Sequence, residues 1–190
     1  AFREPKHVTL LGLGSGCLLQ GLQAMPAPPR VAVVEHRQAV VDVARDYFWL
    51  PEAGNISVNV SDASAYLKRT AAVSTDIIFA DLYTADEMNP LQLQKSFLRL
   101  CHRLLTEEGW LVLNFHTLPD RSAEFFTLLH RLYAEVLIYH APDENYIIYA
   151  GKSRRRTSLG NEMERARCFP YNDKIGYDFL LTRIVATKDI

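Results

Sequence analysis

The chain has 190 residues, 48% of them hydrophobic and 23% charged. That is the composition of an ordinary globular domain, and it excludes a disordered tail, a collagen-like rod and a low-complexity linker. No apolar stretch approaches the ~20 residues that cross a bilayer, and 21 Lys+Arg against 22 Asp+Glu lack the basic excess of domains that grip nucleic-acid phosphates, so neither a membrane nor a nucleic acid is expected as partner.

His7-Val8-Thr9-Leu10-Leu11 reads as a buried parallel strand running into glycines. Cys17 to Met25 reads as a helix halted by Pro26-Ala27-Pro28-Pro29. Val31 to Glu35 is a second strand. From Arg37 to Leu50 the apolar residues Val40, Val41, Ala44, Phe48 and Leu50 fit one helical face, ended by Pro51. Ile56 to Val60 is a third strand, leading through Ser61-Asp62 into a short helix past Tyr66-Leu67. Asp76 to Asp81 is a fourth strand, and Leu91 to Leu105 has the best amphipathic period in the chain. Trp110 to Asn114 is the fifth strand, after a Glu107-Glu108-Gly109 turn. Residues 121 to 133 look helical, and Glu135–Tyr139 with Tyr146–Ala150 look like a terminal antiparallel pair joined at Pro142-Asp143-Glu144-Asn145.

Strands and helices alternating at this spacing predict an α/β fold. It is Rossmann-like, a seven-stranded mostly parallel sheet with a terminal antiparallel hairpin and helices on both faces. Residues 1–150 form the expected domain, and 151–190 an extension of it, read as an added helix and strand, an arm or a lid. The run Lys152-Ser153-Arg154-Arg155-Arg156 that opens the extension reads as a solvated linker. Cys17, Cys101 and Cys168 are odd in number and widely spaced, which argues against a disulfide framework and a zinc site and fits a reducing compartment, so the expected location is cytoplasmic. Ala1-Phe2-Arg3-Glu4-Pro5 shows no signal-peptide pattern, and without an initiator Met a trimmed N-terminus is expected.

In open parallel sheets ligands sit beyond the carboxyl ends of the strands, and four strand ends here carry chemistry. Gly12-Leu13-Gly14-Ser15-Gly16-Cys17 lets a ligand approach the backbone at a helix start. Cys17 stands where a dinucleotide fingerprint requires its last glycine, so a nucleoside without pyrophosphate is favoured. Glu35 follows Gly16 by 19 positions and reads either as an acceptor for ribose hydroxyls or as a surface carboxylate at a helix start. Asp62-Ala63 reads as an adenine contact or as a helix N-cap. Asp81-Leu82-Tyr83 with Asp86 offers a general base or a carboxylate for a cation, and Tyr83 either stacks on a ligand or is a half-buried aromatic. Asp76, at the other end of the same strand, reads as structural. His116 is the best placed of the histidines, Cys17 reads as a packing residue, and Tyr47 and Trp49 are expected to pack or to line the cleft.

Leu11-Gly12-Leu13-Gly14-Ser15-Gly16, Val34-Glu35, Asp62-Ala63 with Tyr66-Leu67, and Asp76-Ile77-Ile78-Phe79-Ala80-Asp81 together resemble the spermidine synthase-like branch of the class I S-adenosylmethionine-dependent methyltransferases over residues 7 to 150. The resemblance implies S-adenosylmethionine or its decarboxylated form as cofactor. Gly12, Gly14, Ser15 and Gly16 would flank its methionine part, Glu35 its ribose and Asp62-Ala63 its adenine, with Asp81 at the reacting end and Leu82 and Tyr83 as further cofactor-binding residues. It also implies a transferase moving a methyl or aminopropyl group to a small acceptor, with a polyamine in view, and a homodimer. Spermidine synthases read Asp where Ser15 stands, a second Asp where Thr84 stands, and have an additional N-terminal strand domain. Ser15 favours the cofactor that keeps its carboxylate. The alternatives are a true polyamine aminopropyltransferase and a non-catalytic nucleoside-binding or partner module.

Overall fold

The computed structural model describes residues 4–84, 88–120, 124–141, 145–154 and 184–186. In chain order the elements are β1 His7–Leu11, α1 Cys17–Gln23, β2 Arg30–Glu35, α2 Gln38–Phe48, β3 Ile56–Val60, α3 Ala63–Arg69, β4 Thr75–Ala80, a 3-10 turn at Pro90–Leu93, α4 Lys95–Leu104, β5 Leu105–Phe115, α5 Glu124–Leu132, β6 Glu135–His140, β7 Tyr146–Gly151 and β8 Ile184–Ala186. They build one sheet in the order β3-β2-β1-β4-β5-β7-β6-β8. The first five strands in that order pair in parallel, and β7, β6 and β8 are antiparallel. The seven expected strands and their terminal hairpin are all present, and the tail contributes β8 beside β6.

The period of two along each strand divides the core between the two faces. Val8, Leu10, Val31 and Val33 point to one face, where Leu19 and Leu22 of α1 and Val41 and Ala44 of α2 cover them. Leu11, Val34, Ile78, Ala80, Leu111 and Leu113 point to the other, under Leu67 of α3, Phe97, Leu98 and Cys101 of α4, and Phe126 and Leu129 of α5. Each fully buried large apolar side chain contributes about 1.5–3 kcal/mol. The helices therefore press on both faces and leave the carboxyl ends of β1 to β5 open at one end of the sheet.

At the opposite end Asp76 is structural, as its position predicts. Its Oδ2 accepts the backbone N–H groups of Lys6 and His7 at 2.9 and 3.0 Å, and its Oδ1 accepts the Thr106 hydroxyl at 3.2 Å. The Glu107-Glu108-Gly109 turn lies within a bulge. Thr75 pairs with Leu105 and Ile77 with Trp110, so residues 106–109 loop out of the ladder. Lys152 closes this bulge, donating from Nζ to the Leu105 carbonyl at 3.1 Å and to Glu107 at 3.3 Å with only 10% of its side chain exposed. The solvated-linker reading is thus wrong for Lys152, because a bulge carbonyl needs a donor. Arg155 and Arg156 lie outside the described residues.

Three local expectations are corrected. The helix predicted over 91–105 is split, since Gln94 is extended and acts as N-cap of α4 while Asn89 caps the preceding turn. Tyr47 and Trp49 neither pack nor line the cleft and are 70% and 86% exposed. The buried stripe of α2 runs through Val41 and Ala44, and Trp49 takes the left-handed C-cap conformation, which turns its side chain outward. Cys17 is exposed rather than packed, with Sγ 3.1 Å from the Ser15 hydroxyl.

Candidate active site

The loop after β1 needs its glycines for two different reasons. A Cβ on Gly12, at φ +94°, would stand 2.2 Å from the Asp81 carbonyl oxygen, so the β1 and β4 ends approach as closely as they do only because position 12 is bare. Gly14 and Gly16 also have positive φ, and Gly16 is the N-cap of α1. The loop is fixed from beneath by Glu35. The residue is 8% exposed, with Oε2 accepting the Leu13 N–H at 3.1 Å and Oε1 accepting the Arg37 N–H at 2.9 Å. A carboxylate has about four acceptor sites, so each oxygen keeps capacity for a ligand hydroxyl while its orientation is set.

Asp62 fulfils the N-cap reading of its position and also lines the cavity at the carboxyl ends of the strands. Its Oδ1 caps α3 by accepting the Ala65 N–H at 2.8 Å. Asp81 receives the Asn114 side-chain amide on Oδ1 at 2.8 Å. Tyr83 is half-buried and donates its hydroxyl to the Asn114 carbonyl at 3.2 Å. Its ring lies 4.6 Å from that of His116. Burial first, then the Asp81 charge, pushes its pKa up to about 12, so the hydroxyl remains a donor across the neutral range.

These strand ends enclose a cavity of about 410 Å³, within the size range of small-molecule sites. Gly12, Gly14, Glu35, Asp62, Ala63, Asp81, Leu82 and Tyr83, eight of the predicted site residues, line it together. Ser15 and Gly16 are absent from the lining, Ser15 being turned to Cys17. Asp86 lies outside the described residues. The sequence reading missed His36, Arg37, Asn89 and Leu91, all of which line the cavity. For His36 and Arg37 a signal existed, because they directly follow Glu35. Asn89 and Leu91 arrive from a loop whose path no periodicity records. Among the described residues no group of three or more His, Cys, Asp or Glu is placed to hold a metal ion, and no helix is long and apolar enough to cross a membrane.

The spermine/spermidine synthase domain model matches residues 1–132, well over half of the chain. The chain belongs to that family. A polyamine aminopropyltransferase of Neisseria meningitidis is 25% identical over 143 residues, covering 75% of this chain and 54% of the relative. The chain thus spans about half the length of the curated relatives it matches. Among solved structures, human methyltransferase-like protein 13 in complex with SAH superposes with a TM-score of 0.73 at 20% identity, over 86% of this chain and 79% of the other. A probable spermidine synthase from Corynebacterium glutamicum gives a TM-score of 0.72 at 21% identity, over 84% and 60%. These two likenesses establish the Rossmann-like methyltransferase fold.

Proposed function

We propose that this member of the spermidine synthase family is a transferase that binds S-adenosylmethionine or decarboxylated S-adenosylmethionine and passes a methyl or aminopropyl group to a small-molecule acceptor, a polyamine among them. The observation that carries the proposal is the single cavity formed by Gly12, Glu35, Asp62-Ala63 and Asp81 at four successive strand ends. The residues present suit an adenosyl ligand. Gly12 leaves a bare backbone against the Asp81 carbonyl, Glu35 is buried with its orientation set, and Ala63 leaves room beside Asp62 for a flat ring. When bound, the sulfonium group supplies an activated carbon, and its displacement leaves a thioether nucleoside. Glu35 holds the ribose hydroxyls, Asp62-Ala63 and the Gly12–Gly14 backbone orient the rest, and Asp81 receives the proton shed by an attacking amine. Alignment of the two reactants is the larger contribution, on the order of several kcal/mol.

The proposal extends to residues 1–150 as the cofactor-binding domain with 151–190 as its extension, to a cytoplasmic setting consistent with the unpaired Cys17 and Cys101, and to a homodimer, which sedimentation would measure. True polyamine aminopropyl transfer is the second reading, supported by the family match and by the three carboxylates of Glu35, Asp62 and Asp81 around the cavity. Against it, Ser15 offers no charge for an aminopropyl amine, so we expect calorimetry to find tighter binding of intact S-adenosylmethionine. Clear preference for the decarboxylated form would reverse the order of the two readings.

The experiment incubates purified protein with each cofactor and a panel of amines and detects thioether nucleoside by mass spectrometry. Asp81→Asn should cut kcat by about 100-fold or more while the cofactor dissociation constant stays within about threefold. Unchanged turnover removes Asp81 from the chemistry, and binding without turnover identifies a nucleoside-binding module instead. The same assay on Asp86→Asn reads that residue's share.

A further inference from the structure

β5 ends in Leu113-Asn114-Phe115, and the strand period sends Leu113 and Phe115 into the core beneath α3, α4 and α5. Asn114 therefore projects to the opposite side. The parallel register pairs Ala80 with Leu113, which sets Asp81 and Asn114 side by side just past the last rung. There the Asn114 amide donates to Asp81 Oδ1 at 2.8 Å, the only side-chain hydrogen bond of Asp81 among the described residues.

Asn114 is itself secured through its backbone. Its carbonyl accepts the Tyr83 hydroxyl at 3.2 Å and, at longer range, the Gln92 amide at 3.4 Å. Gln92 is fully buried and also reaches the Leu82 carbonyl at 3.5 Å. Two side chains from the segment after β4 thus clasp the same peptide at the end of β5. A solvent-exposed aspartate would otherwise exchange rotamers freely.

We propose that Asn114 is a positioning residue for Asp81, turning one carboxylate oxygen inward and presenting the other to the cavity, with Tyr83 and Gln92 holding Asn114 in place. This rests on the reading of Asp81 as the proton acceptor. An orientation error costs rate far more than affinity, and a misplacement of about 1 Å costs on the order of 100-fold.

The first test needs no turnover. In 15N-labelled protein the Asn114 side-chain amide should shift and exchange faster with solvent in Asp81→Asn than in wild type, whereas Asp76→Asn should leave it unmoved. An Asn114 amide indifferent to Asp81→Asn overturns the proposal. The second test is a kinetic cycle with the cofactor and acceptor that yield product. Asn114→Ala should lower kcat about 10- to 100-fold with KM for the cofactor within about twofold, and should cost nothing further in the Asp81→Asn background. Tyr83→Phe, which keeps the ring, should show a smaller loss that vanishes in the same background, and it serves if Asn114→Ala does not fold. Additive losses, or no loss in either variant while Asp81→Asn is slow, overturn the positioning role alone. An Asp81→Asn enzyme as fast as wild type, or no turnover with any pair, removes the proton-acceptor reading and this inference with it.

Discussion

At Gly12 the glycine loop and the β4 end meet backbone to backbone, and a methyl group there would have to displace the Asp81 carbonyl from 2.2 Å. Gly12→Ala should therefore lower the melting temperature sharply and abolish nucleoside binding. Gly14→Ala meets no neighbour within 4 Å and should cost only the left-handed backbone penalty of about 1–2 kcal/mol. Gly21, inside α1 and equally unobstructed, should gain about 0.5–1 kcal/mol on replacement by Ala. Thermal unfolding of the three variants checks the ranking, and equal losses at positions 12 and 14 would contradict the close approach. Single residues such as Gly12, Glu35 and Asp81 were legible in the sequence because each sits at a strand end that hydrophobic patterning marks. The link between Asn114 and Asp81 was not legible. It depends on β4 and β5 being neighbours in register, and residues 33 positions apart carry no local trace of that.

At the scale of elements, the antiparallel pairing of β5 with β7 sets Trp110 opposite Gly151. A Cβ at position 151 would come within 2.8 Å of the Trp110 ring, so Gly151→Ala must push a buried indole aside, an overpacking that costs about 1–3 kcal/mol. Trp49 is exposed and Trp110 buried. In a Trp49→Phe background, emission should come from Trp110 alone and should shift to the red when Gly151 becomes Ala. An unmoved spectrum with unchanged stability would mean that the ring does not pack there. Strands were read closely from sequence because a doubly covered strand must be apolar throughout, as Leu10-Leu11 and Val33-Val34 are. Helix ends were read less well. The α4 boundary turns on the extended backbone of one residue, Gln94, and the outward turn of Trp49 on a left-handed cap. Propensity specifies neither.

For the whole molecule, pH dependence follows from buried and half-buried side chains whose neutral forms the fold favours. Burial raises the pKa of Tyr133 and Tyr149 above the usual 10, that of Tyr83 to about 12, and that of the Cys101 thiol above its usual 9. A raised folded-state pKa contributes stability that is complete below the unfolded value and is lost as pH climbs through the folded one. Burial, with help from Lys152, lowers the pKa of His102 below its usual 6.5, so its contribution is complete above 6.5 and is lost as pH falls through the lowered folded value. Urea midpoints should thus form a plateau between about pH 7 and 9 and decline on both sides. Tyr83→Phe should flatten part of the alkaline decline, and an alkaline limb unaltered in that variant would contradict the burial of its hydroxyl.

All three scales meet in the cavity at the carboxyl end of the sheet, and the most direct measurement is a crystal structure grown with 5′-methylthioadenosine. The account predicts the ribose hydroxyls on the Glu35 carboxylate, the adenine beside Asp62-Ala63 and the sulfur facing Asp81. A nucleoside bound elsewhere, or no bound nucleoside at saturating concentration, would contradict it.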